Sequence, residues 1–344
     1  MIAITGGGTG GHLVIAKAIK EELNRRGIKP IYIGSTAGQD KAWFEGDAGF
    51  SYTYFLESKG VVNKKGFQKL YAFLAILKAA FTCKALFKKH AITSVFSVGG
   101  YSAAPASFAA LLTCKPLFIH EQNAITGKLN TLLKPFAKQF FSSYDAKATL
   151  TPYPVHEAFF ETRHERDELK TLIFLGGSQG ATFINQLAKK MARALHHKGI
   201  RIIHQTGSKE YDAMKAFYEE EGILADVFAF SHEMPTKLAQ ADCAISRSGA
   251  STLWELCANG LPCIFVPFPH AAANHQYFNA KALADKALAF IEEQHTLSPE
   301  ALLDILAHIP INTISKGLVS TIQKGGAKEI VAALLKHEKE ESLC

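Results

Sequence analysis

One pattern occurs twice in this chain, about half a length apart, and it restricts the fold more than any other feature. IAITGGGTGGHLVIAKAI near the start and TLIFLGGSQGATFINQLAKKM near the middle share one order: apolar run, glycine cluster with small polar residues, amphipathic stretch. A short apolar run reads as a buried strand, and the stretch after it has helical spacing. The glycines between them permit a tight turn and close backbone approach to a ligand. The alternation continues. Strands are predicted at Ile2–Thr5, Pro30–Ile33, Ser94–Val98, Pro116–Ile119 and Gln139–Ser142, and again at Thr171–Leu175, Arg201–Gln205, Val227–Phe230, Cys243–Ser246 and Pro262–Val266. Repeated βα units imply parallel sheets with helices on both faces. With 344 residues, the expectation is an α/β chain of two similar doubly wound domains. The join falls within Thr151–Glu168, rich in proline and charge. The boundaries are taken as 1–155 and 165–326, with a final helical segment, 327–344, returning to the first domain.

Composition narrows the class. Hydrophobic residues make up 48% and charged residues 20%, which excludes a disordered or fibrous chain. The formal charge of +7 is too small to indicate a nucleic-acid binder, but it suits an anionic ligand or an anionic membrane surface. Six cysteines lie scattered with no C-x-x-C pair, which argues against a disulfide framework or zinc knuckle and for a reducing compartment. No secretory signal pattern opens the chain. The apolar stretch Leu70–Leu77 is far short of the ~20 residues of a membrane span.

Gly6, Gly8 and Gly11 satisfy G-x-G-x-x-G between strand and helix. A P-loop needs Lys-Ser/Thr after the last glycine; His12-Leu13 stand there. A dinucleotide fold wants an acid ending the second strand; Tyr32-Ile33-Gly34-Ser35 has none. A sugar nucleotide or lipid diphosphate needs phosphate cradles but no such acid, and an unliganded tight turn is the plain alternative. Gly176, Gly177 and Gly180 form a second cradle, and Gly99-Gly100-Tyr101-Ser102 a third. Arg247-Ser248-Gly249-Ala250-Ser251-Thr252 opens a helix read as Leu253–Ala258, a start suited to a diphosphate. Glu255, read on the first turn of that helix, either meets a ribose diol or simply complements the helix dipole.

Six segments, GGGTGGH, GGYSAAP at Gly99–Pro105, HEQN at His120–Asn123, GGSQGA at Gly176–Ala181, RSGASTLWE at Arg247–Glu255 and HQYFNA at His275–Ala280, occur in that order. Together they resemble the bacterial peptidoglycan N-acetylglucosaminyltransferases of the MurG family, over nearly the whole chain. The resemblance implies a GT-B fold, two Rossmann-like domains facing across a cleft. It implies inverting transfer of GlcNAc from UDP-GlcNAc to O4 of MurNAc in lipid I, the undecaprenyl-diphosphate-linked acceptor. The enzyme would work peripherally at the cytoplasmic face of the cell membrane, with cell-wall synthesis proteins as expected partners and no cofactor. For the donor, the resemblance implies Thr9, Gly10 and Gly11, Asn123, Ser178, Ser231, Ala250, Ser251, Thr252, Leu253, Trp254, Glu255 and Gln276. Gly99, Gly100, Tyr101 and Ser102 would meet the acceptor diphosphate, and His12, Tyr101 and Glu121 lie on the acceptor side. Two positions depart from the family pattern. Ile15 replaces a proline, and His156 stands in Tyr153-Pro154-Val155-His156 where the family has an arginine that contacts the donor.

Inverting transfer needs a base, stabilisation of the leaving diphosphate and in-line positioning. His12 and Glu121 are the candidate bases. Each also has a structural reading, His12 as a helix-start residue shaping its loop and Glu121 as the organiser of the HEQN turn. No D-x-D occurs, so no metal requirement is expected. Phe67, Leu70, Phe73, Leu74, Leu77 and Phe81 recur at helical spacing, flanked by Lys64, Lys65, Lys69, Lys78, Lys84, Lys88 and Lys89. This stripe is read as shared between a buried helix face and an anionic interface. The rival readings are another UDP-sugar enzyme of the same fold, a binding module without turnover and, more remotely, a nicotinamide oxidoreductase.

Overall fold

A computed structural model describes residues 1–58, 67–144, 148–177 and 180–341. They form two compact units, Met1–Pro154 with the segment from Gly325 onward, and Val155–Lys324.

Unit 1 alternates β1 (Ile2–Thr5), α1 (Gly10–Arg25), β2 (Ile31–Ser35), α2 (Asp40–Phe44), β3 (Tyr52–Leu56), α3 (Phe67–Lys89), β4 (Ser94–Ser97), α4 (Ala104–Leu112), β5 (Leu117–Glu121), α5 (Lys128–Leu133), β6 (Gln139–Ser142) and β7 (Thr149–Leu150). Among the described residues its strands make one parallel sheet in the order β3-β2-β1-β4-β5-β6-β7. Strands buried on both faces must be apolar on both, which is why IAIT and SVFS show no strict alternation. One face carries Ala3, Ile31, Ile33, Val95, Leu117 and Ile119 against Ala80, Cys83 and Phe87 of α3 and the alanines of α4.

Unit 2 contains α6 (Ala158–Glu161), β8 (Thr171–Leu175), α7 (Thr182–His197), β9 (Arg201–Gln205), α8 (Tyr211–Glu220), β10 (Ala225–Phe228), α9 (Met234–Ala239), β11 (Cys243–Ser246), α10 (Ala250–Asn259), β12 (Cys263–Phe265), α11 (His275–Ala284), β13 (Phe290–Ile291), α12 (Pro299–His308) and α13 (Ile311–Thr321). Its sheet, also parallel, runs β10-β9-β8-β11-β12-β13, the same doubly wound order as in unit 1. The last helix, α14 (Gly326–Glu341), packs in unit 1. Its Ile330, Val331 and Leu334 are buried, and Arg26 Nη2 donates to Lys328 O at 3.1 Å.

The segment before β8 packs on unit 2 through one buried cation. Arg166 is 2% exposed. Its guanidinium donates to Ala241 O and Leu238 O at 3.1 Å, to His164 O at 2.9 Å and to the Asn259 side chain at 2.5 Å. Leu238, whose carbonyl accepts one of these bonds, is in the last turn of α9, where a cation is favoured.

β3, β7 and β13 are absent from the sequence reading. All three lie at or next to sheet edges, and β3 is half-exposed throughout, so it lacks the dense apolar run of a central strand. β10 begins two residues earlier than predicted, at Ala225. The α3 stripe also needs correction. The buried face is Ile76, Ala79, Ala80, Cys83 and Phe87, whereas Leu74 and Phe81 of the predicted stripe are exposed and Leu77 is half-buried. Lys64 and Lys65 lie outside the described residues, and so do the side chains of Phe67, Lys69, Leu70 and Phe73.

Candidate functional site

Each unit reverses strand order at its centre, between β1 and β4 and between β8 and β11. Ligands of open α/β sheets bind at the carboxyl ends of the strands beside such a reversal. The first and third glycine clusters occupy that place in unit 1, and the second cluster and the start of α10 occupy it in unit 2.

In unit 1, Gly7 N–H donates to Gly99 O at 3.2 Å, tying the two turns together. Gly8 N–H donates to Asp40 Oδ1 at 2.5 Å, and Ser35 N–H to Asp40 Oδ2 at 2.9 Å. Asp40 is fully buried. An acid therefore does follow the second strand, five residues beyond its end, and it serves the glycine turn. It lies beyond the strand end where a dinucleotide pattern has its acid, so that pattern does not point to it. Tyr101 lies beside Gly8, and its hydroxyl donates to Ala37 O at 2.7 Å. Burial, with Asp40 as the lesser cause, raises the Tyr101 phenol. Ser102 is buried.

Thr9 precedes α1, and its Oγ1 lies 2.9 Å from His12 Nδ1. The hydroxyl can accept from Nδ1–H, and in that tautomer the lone pair is on Nε2, away from the Thr9 hydroxyl. Glu121 is buried, and its oxygens are committed. Oε1 accepts Asn123 N–H at 3.0 Å, and Oε2 accepts Gly127 N–H and the Asn130 amide at 2.9 Å each. This bonding supports its organising role over its role as base. Beside it, His120 is fully buried, edge-on to Tyr153 at 5.8 Å. Burial, with His12 as the lesser cause, pushes its imidazole down to about 3.

In unit 2, α7 and α10 start after neighbouring strands with no side-chain cap and no acid in the first turn. Two such helix starts leave amide donors and positive dipole ends for an anion. Gly176 N–H donates to Gln205 O at 3.2 Å. Ser178 lies outside the described residues. Arg247 stands between the rings of Phe183 and Phe268, 5.5 and 5.6 Å from their centres, and donates to Val266 O at 3.0 Å, Pro267 O at 3.1 Å and Gln294 Oε1 at 2.9 Å. Burial pushes its guanidinium down to about 10, so it remains a cation at neutral pH. The motif around this arginine gives it no role by itself. Gln276 Oε1 accepts Phe268 N–H at 2.9 Å, which leaves its amide donors for other partners. Ser231 Oγ accepts Glu233 N–H at 3.0 Å, turning the chain into α9.

One sequence expectation changes here. α10 starts at Ala250, so Glu255 is on the second turn and the dipole account of it lapses. Helical periodicity also divides the run from Ala250 to Glu255. Thr252 and Glu255, three apart, are partly accessible, while Ala250, Ser251, Leu253 and Trp254 are buried. The Leu253 and Trp254 side chains pack inside the unit, so what these two residues present outward is main chain. Glu255 is desolvated enough to push its carboxyl up to about 7. His156 is exposed, and its Nδ1 accepts Ala158 N–H at 3.2 Å at the start of α6.

The glycosyltransferase family 28 N-terminal domain matches residues 2–142, and the family 28 C-terminal domain matches residues 171–315. The chain is 55% identical to the UDP-N-acetylglucosamine–N-acetylmuramyl-(pentapeptide) pyrophosphoryl-undecaprenol N-acetylglucosamine transferase of Campylobacter fetus, covering 98% of this chain and 100% of the relative. It is 50% identical to the protein of the same name from Sulfurimonas denitrificans, covering 96% and 97%. The crystal structure of Acinetobacter baumannii MurG superposes with a TM-score of 0.81 at 27% identity, covering 97% of this chain and 99% of that one. With both family 28 domains present and half or more of its residues shared with these relatives, the chain belongs to the MurG family of bacterial N-acetylglucosaminyltransferases.

Proposed function

We propose that this enzyme moves GlcNAc from UDP-GlcNAc to O4 of MurNAc in lipid I, releasing UDP and forming lipid II with inversion. The observation that carries the reading is the whole-chain identity of 50–55% to transferases of that name, supported by the glycine clusters and the start of α10 at the strand reversals. Unit 2 takes the donor. The starts of α7 and α10 bind the diphosphate, where their amides and dipoles stabilise the charge that develops on departing UDP. Glu255 accepts from the ribose, the Gln276 amide donates to sugar hydroxyls, and the backbone at Ser231 meets the uracil. Unit 1 takes the acceptor. Gly99, Gly100 and Tyr101 line its diphosphate, and Thr9, Gly10, Gly11 and Asn123 meet the transferred sugar. His12 takes the acceptor O4 proton through Nε2, and Glu121 holds the turn that carries Asn123.

The reading is tested by following UDP release with UDP-GlcNAc and a lipid I analogue, each omitted in turn. Release requiring both substrates supports it. Release from UDP-GlcNAc alone indicates hydrolysis or epimerisation instead. With His12→Ala, loss of the acidic limb of the pH–rate profile identifies the base, and a uniform fall with unchanged limbs assigns His12 to loop shape.

The membrane surface is the remaining part of this proposal. No single described helix is long and apolar enough to cross a membrane. On α3, Tyr71, Leu74 and Phe81 are 76%, 54% and 62% exposed, and Lys78, Lys84, Lys88 and Lys89 are exposed with them. Leu132 and Phe136, near Lys134 and Lys138, are exposed on the same side of the sheet. Aromatic and aliphatic side chains among lysines suit the anionic interface where a lipid-linked acceptor resides. Lys78→Glu with Lys84→Glu should abolish binding to anionic vesicles while leaving UDP affinity unchanged.

A further inference from the structure

Behind the second glycine turn runs a line of buried polar groups to which the proposed chemistry gives no role. Tyr218 of α8, His204 of β9 and Asn185 of α7 are 2%, 0% and 0% exposed. Tyr218 Oη lies 3.1 Å from His204 Nδ1, and His204 Nε2 lies 3.0 Å from Asn185 Oδ1. Asn185 Nδ2 donates to Thr206 O at 3.0 Å.

The direction of every bond follows from the last one. Thr206 O only accepts, so the Asn185 atom facing it is the amide nitrogen and the atom facing His204 is the oxygen. His204 therefore donates from Nε2. Burial pushes its imidazole down to about 3, so the ring is neutral and Nδ1 carries the lone pair. Tyr218 donates to that lone pair, and burial raises its phenol, which keeps the proton in place. The ring is thus held in one tautomer, with both nitrogens satisfied inside the core.

The line ends at a residue that both parts of the proposed donor site share. A Cβ on Gly180 would stand 2.6 Å from Thr206 O, so the glycine turn rests directly on that carbonyl. Thr206 N–H donates to Phe228 O at 3.0 Å, which binds the end of β9 to the end of β10, three residues before Ser231. A shift of Thr206 would move Gly180 and the Ser231 loop relative to each other.

We propose that His204 is a positioning residue for the donor site: through Asn185 it fixes the Thr206 carbonyl, and with it the spacing between Gly180 and the loop carrying Ser231. This rests on the reading that unit 2 binds UDP-GlcNAc. Neither His204 nor Asn185 belongs to the residues assigned to the ligand.

The test uses the full chain labelled with 15N-histidine, the His204 signals being identified by their absence in His204→Phe. In the wild type the ring should show the Nε2–H neutral tautomer without titrating between pH 5.5 and 8.5. Tyr218→Phe removes only the outer bond. With the Asn185 oxygen still accepting, the Nε2–H tautomer should persist, while UDP Kd and the KM for UDP-GlcNAc rise about threefold to fivefold. His204→Phe should raise both by about tenfold or more, with the lipid I KM and kcat within about twofold. A ring that titrates in this range, or an Nδ1–H tautomer, overturns the proposal. So does Tyr218→Phe that leaves UDP Kd unchanged, or donor and acceptor KM rising together in either variant. Wild-type protein that fails to bind UDP overturns the donor-site reading itself, and that is seen before any variant is made.

Discussion

The two strand–glycine–helix turns are near copies in sequence, yet different groups stand behind them. In unit 1 a fully buried carboxylate, Asp40, accepts from the Gly8 amide, and a Cβ on Gly8 would meet the Tyr101 ring at 2.6 Å. In unit 2 the described part of the turn rests on main chain, Gly176 N–H on Gln205 O and Gly180 against Thr206 O. A carboxylate on a turn amide removes a donor and adds negative charge, so the first turn suits a neutral sugar and the second an anion. The glycine pattern specifies backbone shape, and the groups behind the turn decide which charge it accepts.

Asp40→Ala should break this contrast hardest. It leaves the buried Ser35 amide unpaired, at about 1–3 kcal/mol, and the half-buried Gly8 amide at a smaller cost. We expect the thermal transition to fall by roughly 10 °C and kcat/KM by more than about 100-fold, with UDP Kd within about twofold. Melting curves and UDP calorimetry measure both; an unchanged melt would show that the first turn needs no acid behind it.

Glycine replacements sharpen the same contrast at intermediate size. Gly180→Ala meets strain at φ +76° and a clash with backbone that has little room to yield. UDP Kd should rise about tenfold or more, with acceptor KM little changed. Gly8→Ala, at φ +83°, would press on the Tyr101 ring assigned to the acceptor diphosphate and should do the reverse, raising acceptor KM and sparing UDP affinity. Matching profiles for the two variants would mean that the turns share one ligand.

The smallest effect is a pH dependence confined to unit 2. The Glu255 carboxyl, raised to about 7 by burial, is largely protonated below that pH and charged above it. A charged carboxylate accepts more strongly from a ribose diol, so UDP affinity should improve about twofold to fivefold from pH 6 to 8. Glu255→Gln should flatten that slope. Stability of the unliganded enzyme runs the other way. An unfolded carboxyl titrates near ~4.3, so between there and about 7 the folded state holds more protons and loses stability as pH rises. Calorimetry and melting curves at both pH values check the opposed signs.

The central strands were legible because they are buried on both faces. Ile2–Thr5, Gln139–Ser142, Thr171–Leu175, Arg201–Gln205 and Cys243–Ser246 have the predicted limits. The edge strands β3 and β13 were not, since an edge strand has one neighbour and a weaker apolar signal. At the site, the glycine turns, His12 and Glu121 stood out because each lies beside a motif. Asp40, Asn130, Asn185, His204 and Arg166 did not. Each bonds at least one partner 9 to 93 residues away, and single-sequence periodicity carries no information about such pairs. The α3 stripe shows the same limit in reverse. Helical spacing found an apolar face, but packing against α4 and the sheet decided that Ala80, Cys83 and Phe87 would be inside and Leu74 and Phe81 outside.

By itself, the order of residues determined that this protein would be two parallel α/β units with glycine turns at strand ends. Local backbone freedom and two-sided burial leave few other ways to fold such a pattern. Only the tertiary structure decided that one turn is backed by Asp40 and the other by a carbonyl held in line from His204, and that Glu121 spends its oxygens on its own chain. Charge and hydrogen-bond supply at a site depend on which distant side chains the folded sheet brings beneath it, and that is a property of packing.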